Sequence, residues 1–282
     1  MSGQIVLVTG AYSGIGLAIA KEFVEKGFKV YGTSRNPEKT GSNQSGGFTF
    51  LLLDITDDAS RKNCVEKILE TEDRIDILVN NAGYGQMGAL MDLPGEKMDR
   101  QFQTNLLGPA ALTHLVVPAM IQNNSGMVVN ISSISGVMPS AFAGAYCASK
   151  AAMNAWSDTL RMELKPFNIR VITVQPGAIH SNFGNSAAKN LAFAEDKSPY
   201  APIADFINRR ALISQEGATP AEDFARKLVN QLLKKKPKSI IRIGKSSFIY
   251  PFLKRWLPDN VLDGIISRKF GLKKLELLRK IK

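Results

Sequence analysis

The chain has 282 residues, enough for one large domain or a domain with an appendage, and 44% are hydrophobic, which supplies a globular core and excludes a disordered chain. The formal charge of +11 is unevenly placed: residues 234–282 hold 15 Lys or Arg against three acids, Asp259, Asp263 and Glu276, so residues 1–233, with 21 against 22, are nearly neutral. Two cysteines, Cys64 and Cys147, fit neither a disulfide framework nor a metal-site spacing, and a reducing, cytoplasmic setting is expected.

The opening MSGQIVLVTG has no basic stretch followed by a long apolar run, so no secretory signal is expected, and no apolar run looks long enough to span a bilayer. Six runs rich in β-branched residues then recur along the chain: IVLVT (5–9), FKVYGT (28–33), FTFLLL (48–53), IDILV (75–79), GMVVNI (126–131) and IRVITV (169–174). Their near-continuous hydrophobicity is that of strands buried on both faces of a parallel sheet. Amphipathic stretches separate them, such as 15–27, 60–73 and the long run 144–165, so the expected fold is α/β, a doubly wound, Rossmann-like parallel sheet in a single domain. The link NPEKTGSNQSGG (36–47) is polar and glycine-rich, and predicts an exposed loop with little or no helix. Residues 178–220 lack a clean period, and a stretch of that length suits a substrate lid. A helix from about Thr219 to Leu233 follows, with Thr219 as N-cap, Pro220 at the first position and Glu222 at the third. The catalytic domain is expected to span 1–234, and a basic amphipathic extension 235–282.

Thr9-Gly10-Ala11-Tyr12-Ser13-Gly14-Ile15-Gly16 follows the first strand and opens the first helix. Glycines there let the backbone turn tightly and approach a pyrophosphate seated on the free N–H groups of the helix N-terminus. The spacing is G-x-x-x-G-x-G rather than the general G-x-G-x-x-G. It resembles the short-chain dehydrogenase/reductase family. The likeness continues through Asn80-Asn81-Ala82-Gly83, Asn105, Ser133, Tyr146-x-x-x-Lys150 and Pro176-Gly177, covering residue 5 to about 181 in the family's order. NNAGYG, YCASKAA and ELKPFNIRV look most like the branch of 17β-hydroxysteroid dehydrogenase-like and acyl-dihydroxyacetone-phosphate reductase-like enzymes.

The resemblance implies a nicotinamide cofactor held by Gly10, Ser13, Gly14, Ile15 and Gly16, with Pro176, Gly177, Ile179 and Ser181 along the nicotinamide. It also implies Asp54 at the adenine amino group, Ile55 packed nearby, and Asn81 along the adenosine ribose. Charge argues the choice of cofactor. An acid at the end of the second strand would hold a ribose 2′-hydroxyl, whereas Gly32-Thr33-Ser34-Arg35 offers no acid and one arginine, so NADP(H) is preferred over NAD(H). The plain alternative for Arg35 is a solvated surface residue.

A carbonyl reductase must deliver a proton to the oxygen as hydride reaches the carbon, and a tyrosine with an ordinary pKa of ~10 must be shifted to do so near neutrality. Lys150, four residues after Tyr146, lies one helical turn away, and its charge favours the tyrosinate. Tyr146 is therefore read as acid/base, with Lys150 tuning it and holding the nicotinamide ribose. Ser133 stands at the family's spacing and would orient the substrate oxygen; Ser132 is the alternative. Asn105 would bend its helix and hold a water linking Lys150 to solvent. His114, in ALTHLVV, reads as a packed or half-exposed residue, His180 as a candidate neighbour of cofactor or substrate, and Cys64 as core. No cluster of His and Cys suggests a metal.

The tail interleaves Phe248, Tyr250, Phe252 and Trp256 with Lys254 and Arg255, and places Leu272, Leu275, Leu278 and Ile281 on one helical face. It suits either a membrane interface or a lid or dimer contact packed on the domain, with no base-reading motif to suggest nucleic acid. The expectation is an NADP-dependent reductase or alcohol dehydrogenase for a steroid-, retinoid- or lipid-like substrate, cytoplasmic or peripheral on a membrane, as a homodimer or homotetramer. The alternative is a catalytically silent NADP(H)-binding sensor or a membrane-associated scaffold.

Overall fold

The alternation of β-branched runs with amphipathic stretches resolves, in a computed structural model describing residues 3–36, 47–193 and 197–280, into one parallel sheet with helices on both faces. Six strands fall within two residues of their expected bounds: β1 (Ile5–Val8), β2 (Lys29–Ser34), β3 (Thr49–Leu52), β4 (Ile77–Asn80), β5 (Gly126–Ile131) and β6 (Ile169–Pro176). A seventh, β7 (Ile240–Ile243), pairs in parallel with β6 from Thr173↔Ile240 to Pro176↔Ile243. The sheet order is β3-β2-β1-β4-β5-β6-β7, so the chain reverses direction between β1 and β4. The seventh strand corrects the expected boundary, because the first residues assigned to the extension complete the sheet. Their lysine-rich approach, Lys234-Lys235-Lys236-Pro237-Lys238, hid a run only four residues long.

Each strand alternates its side chains between two cores. Val6 and Val8 face α1 (Gly14–Glu25) and α8 (Ala221–Leu232). Ile5 and Leu7 face α2 (Asp58–Glu72), α4 (Gly108–Gln122) and α5 (Gly144–Leu164). Cys64 lies in this second core, and burial pushes its thiol up to about 12. Between the cores runs a polar bridge: Asn80 Nδ2 donates to Thr113 Oγ1 (3.0 Å) and Asn130 Oδ1 (2.9 Å), and Asn130 Nδ2 donates to Ser157 Oγ (2.9 Å). It locks the C-terminal ends of β4 and β5 to α4 and α5, where a site can be held rigid.

The helix α3 (Gly95–Phe102) continues into α4 through a single π-turn over Gln103–Leu107. Counted as one, Gly95–Gln122 is long and apolar enough to cross a membrane by length and composition, although half of its most apolar window is buried inside the protein. The segment 178–220, expected to be irregular, contains α6 (Phe183–Lys189) and α7 (Ala204–Leu212). The next helix begins at Ala221 with Pro220 at its cap, one residue later than expected. The cause is that Thr219 is held in an extended bridge, its N–H on Ala178 O and its carbonyl receiving His180 N–H. The link 36–47 lies almost wholly outside the described residues.

After β7 come α9 (Ile249–Trp256), α10 (Asp259–Lys269) and α11 (Leu272–Lys280). Phe270 and Leu275 are buried against Ile203, Ile207 and Phe142, so the end of the tail packs on the domain. Helix α9 instead presents Phe252 and Trp256, 63% and 66% exposed, with Phe248 and Ile249 beside them.

Candidate active site

The sheet gathers the motif residues at the C-terminal ends of β1, β2, β4, β5 and β6, around the reversal of strand order, where open α/β sheets form their binding crevice. The glycine loop is built to leave a helix end bare. Gly10 and Gly14 take φ of +65° and +57°, and a Cβ on Gly16 would be driven into the Gly10 carbonyl and the Asn81 amide. Ser13 stands at the N-cap of α1 without a side-chain capping bond, and no acid occupies the first turn. Uncapped N–H groups, a glycine cradle and the positive end of the helix dipole fit a pyrophosphate. Ile15 packs partly buried against the core below.

Asn81 braces this loop, which refines its expected role. Its Nδ2 donates to Thr9 O (2.9 Å) and to Gly10 O (3.3 Å), while Thr9 Oγ1 accepts from the backbone N–H groups of Asn81 and Ala82, both at 2.9 Å. Arg35 is exposed at the end of β2. Asp54 sits after β3, its Oδ1 accepting from Thr56 N (2.9 Å) and Thr56 Oγ1 (2.7 Å). Burial works against its charge, but the Thr56 bonds and the nearby Arg35 and Arg100 guanidinium groups hold the carboxyl below its usual range. Ile55 is buried beside it.

Tyr146 and Lys150 lie in the first two turns of α5, both buried, with Nζ 6.0 Å from the phenol ring centroid. Ser133 lies against the Tyr146 hydroxyl, close enough to draw its pKa down. Of the two candidate serines, Ser133 is thus the one that reaches the phenol, whereas Ser132 Oγ donates to the Lys150 carbonyl (3.1 Å) and ties β5 to α5. Lys150 Nζ donates to Ile131 O (2.8 Å), and burial pulls the ammonium down to about 8. The Tyr146 phenol moves opposite to expectation. Burial pushes it up to about 12, outweighing Ser133 and the Arg210 charge, which both pull it down.

Asn105 occupies the centre of the π-turn, buried. Its Oδ1 accepts from Tyr84 N (3.1 Å), and its Nδ2 donates to Tyr84 O (3.0 Å) and Ser149 Oγ (3.2 Å). The side chain therefore joins the Asn80-Asn81-Ala82-Gly83 segment to α5, and Ser149, whose Oγ also donates to Tyr146 O (2.8 Å), is part of that brace. Pro176 ends β6, Gly177 and Ile179 follow it, and Ser181 Oγ accepts from Phe183 N (3.3 Å) at the start of α6. Exposed His180 turns into a surface groove between α1 and α8, with Gly14, Lys21 and Glu222. His114 is fully on the surface. Cys147 packs with Met87, Ala143, Ala187 and Ala211 around Tyr146, whose ring lies 5.3 Å from that of Phe183.

Arg210, in α7, carries no local sequence signal; it is buried beside this cluster and acts electrostatically on both Tyr146 and Cys147. No short motif could have found it, because its hydrogen-bond partner, Ser140, is 70 residues away.

A family model described as short chain dehydrogenase matches residues 4–192. A 3-ketodihydrosphingosine reductase of Bacteroides thetaiotaomicron is 35% identical over 268 residues, covering 93% of this chain and 96% of the relative. Among solved structures, a short-chain dehydrogenase from Streptomyces avermitilis superposes with a TM-score of 0.78 at 30% identity, covering 100% of this chain and 99% of that one. The closed form of serine dehydrogenase complexed with NADP+ superposes with a TM-score of 0.70 at 26% identity, over 86% of this chain and 96% of that one.

Proposed function

The chain belongs to the short-chain dehydrogenase/reductase family, and from that premise we propose that it is an NADPH-preferring carbonyl reductase for a hydrophobic, lipid-like substrate, steroid and retinoid ketones included. The observation that carries the reading is Ser133 set against the Tyr146 phenol, with Lys150 one turn on and Asn105 bracing the same helix. The glycine loop, Gly177, Ile179 and Ser181 would hold a nicotinamide cofactor, which when bound would supply the hydride. Ser133 orients the substrate oxygen, and Tyr146 gives it a proton. Burial keeps the phenol protonated at neutral pH, and a positive charge beside it eases release of that proton to the substrate oxygen. Lys150 places a positive charge beside the phenolate that remains, and Asn105 fixes the α5 turn carrying both.

Preference for NADPH is supported by Arg35, with no acid at the end of β2, and by Arg100, whose charge converges with that of Arg35 on Asp54. A lipid substrate is supported by the 3-ketodihydrosphingosine reductase of Bacteroides thetaiotaomicron among the relatives and by the apolar cluster around Tyr146. A peripheral position on an anionic membrane, from the cytoplasmic side, is supported by the exposed aromatic face of α9 among the basic residues of the tail.

The test is NADPH oxidation with a panel of apolar ketones, alongside Tyr146→Phe. That variant is expected to lose at least about a thousandfold in kcat/KM while binding NADPH within about twofold of the parent. Substantial residual turnover removes Tyr146 from the role. No turnover of any ketone by a parent protein that binds NADPH tightly identifies a silent nucleotide binder instead.

A further inference from the structure

Arg210 is 7% exposed and sits between α7, the loop before α5 and the C-terminal tail. Its Nε and Nη2 both donate to Ser140 Oγ, at 3.2 Å and 2.8 Å, and its guanidinium lies 5.6 Å from the Phe270 ring centroid. Both partners are neutral. The neighbouring Arg209 pairs with Glu216, but among the described residues no carboxylate pairs with Arg210; the groups that act on it are Cys147, Tyr146 and Tyr250. A guanidinium removed from water without an anion is costly, and a protein holds one where a ligand brings the anion. The place is specific: Ala211, the next residue, packs against Tyr146 and Cys147 in the cluster that walls the reacting centre. A hydroxyl on the Nε–Nη2 edge and an aromatic face fix the guanidinium plane, and the other edge, Nη1 with Nη2, matches two oxygens of a carboxylate or phosphate.

We propose that Arg210 receives the anionic head group of the substrate, a carboxylate or a phosphate monoester carried a few bonds from the reacting carbonyl, with the apolar chain leading away. The inference deepens the reductase reading and rests on it for the identity of the reacting group. The substrate for which the Bacteroides relative is named, 3-ketodihydrosphingosine, carries an ammonium group that Arg210 would repel, which makes it a discriminating probe.

The probes are γ-oxododecanoate, its methyl ester, the γ-keto alkyl phosphate of matching chain length, and 3-ketodihydrosphingosine. Each is titrated into the NADPH-loaded full-length protein by calorimetry and then assayed for NADPH oxidation. The carboxylate, the phosphate or both should bind about tenfold or more tighter than the ester, as expected for charge-assisted hydrogen bonds, and whichever does so identifies the head group. Arg210→Met should erase that preference, and Arg210→Lys should keep part of it. A merely structural Arg210 would weaken all four probes alike. The proposal is overturned if the parent protein binds the ester or the sphingoid base as tightly as both anions, a result that needs no variant to fold. Tight, Arg210-dependent anion binding without NADPH oxidation leaves the head-group site standing and removes the reductase reading. Turnover of the neutral ester with no preference for either anion does the reverse.

Discussion

Lys150 offers a direct test of whether the site charge is kept for chemistry at the expense of stability. Its ammonium is buried, with one hydrogen bond from Nζ to Ile131 O at 2.8 Å, and its pKa falls from the ordinary 10.5 to about 8. A drop of that size means that charging Lys150 costs the folded protein about 3 kcal/mol relative to the unfolded chain. The cost is fully present below about pH 8. Between about 8 and 10.5 the unfolded chain binds more protons than the folded one, so stability climbs with pH across this window. Tyr146, pushed up to about 12, titrates above most of the window and is common to both proteins compared. Lys150→Met keeps the side-chain length and removes the charge. It loses one hydrogen bond of about 1 kcal/mol, so a net gain of about 1–3 kcal/mol is expected near pH 7. For a chain of 282 residues this is a rise in Tm of roughly 2–5 °C, alongside loss of turnover. The assay is thermal unfolding of the nucleotide-free protein at about pH 7 and about pH 9.5, with the variant's advantage shrinking at the higher value by about 2 kcal/mol. A variant less stable than the parent at neutral pH, or an advantage that ignores pH, refutes the reasoning.

Three further substitutions probe the surrounding parts. Arg35→Asp should weaken NADPH binding at least about tenfold and NADH binding little, by removing a cation and adding a repelling charge; equal losses for the two cofactors count against the cofactor preference. Gly16→Ala should abolish nucleotide binding and lower Tm, because the added Cβ meets the Gly10 carbonyl and the Asn81 amide that brace the loop; unchanged NADPH titration contradicts the tight cradle. Phe252→Ser with Trp256→Ser should reduce sedimentation with phosphatidylserine vesicles at least about tenfold while leaving turnover of a soluble ketone unchanged. Binding equal to that of the parent removes α9 as the membrane contact.

How far the sequence reveals the molecule follows from how local each determinant is. Six strands show themselves because each is a β-branched run longer than the turns around it, and the glycine loop and the Tyr146–Lys150 turn because their spacing is fixed within a few residues. Helix α8 was displaced by one residue because a distant bridge, Thr219 to Ala178, outranks the local capping preference of threonine. The same contest decides between Ser132 and Ser133. Both hydroxyls leave the same strand end, and only the packing of α5 commits Ser132 to the Lys150 carbonyl and leaves Ser133 for the phenol. Arg210 is the extreme case, since its meaning depends on Ser140, Tyr146 and Phe270, each at least 60 residues away in sequence and none part of a shared motif. The chemistry common to the family is therefore written in short spacings. If Arg210 receives the head group as proposed, substrate selection rests on contacts between α7, the loop before α5 and the tail, and a change in the tail at Phe270 should alter substrate choice without touching the proton-transfer groups.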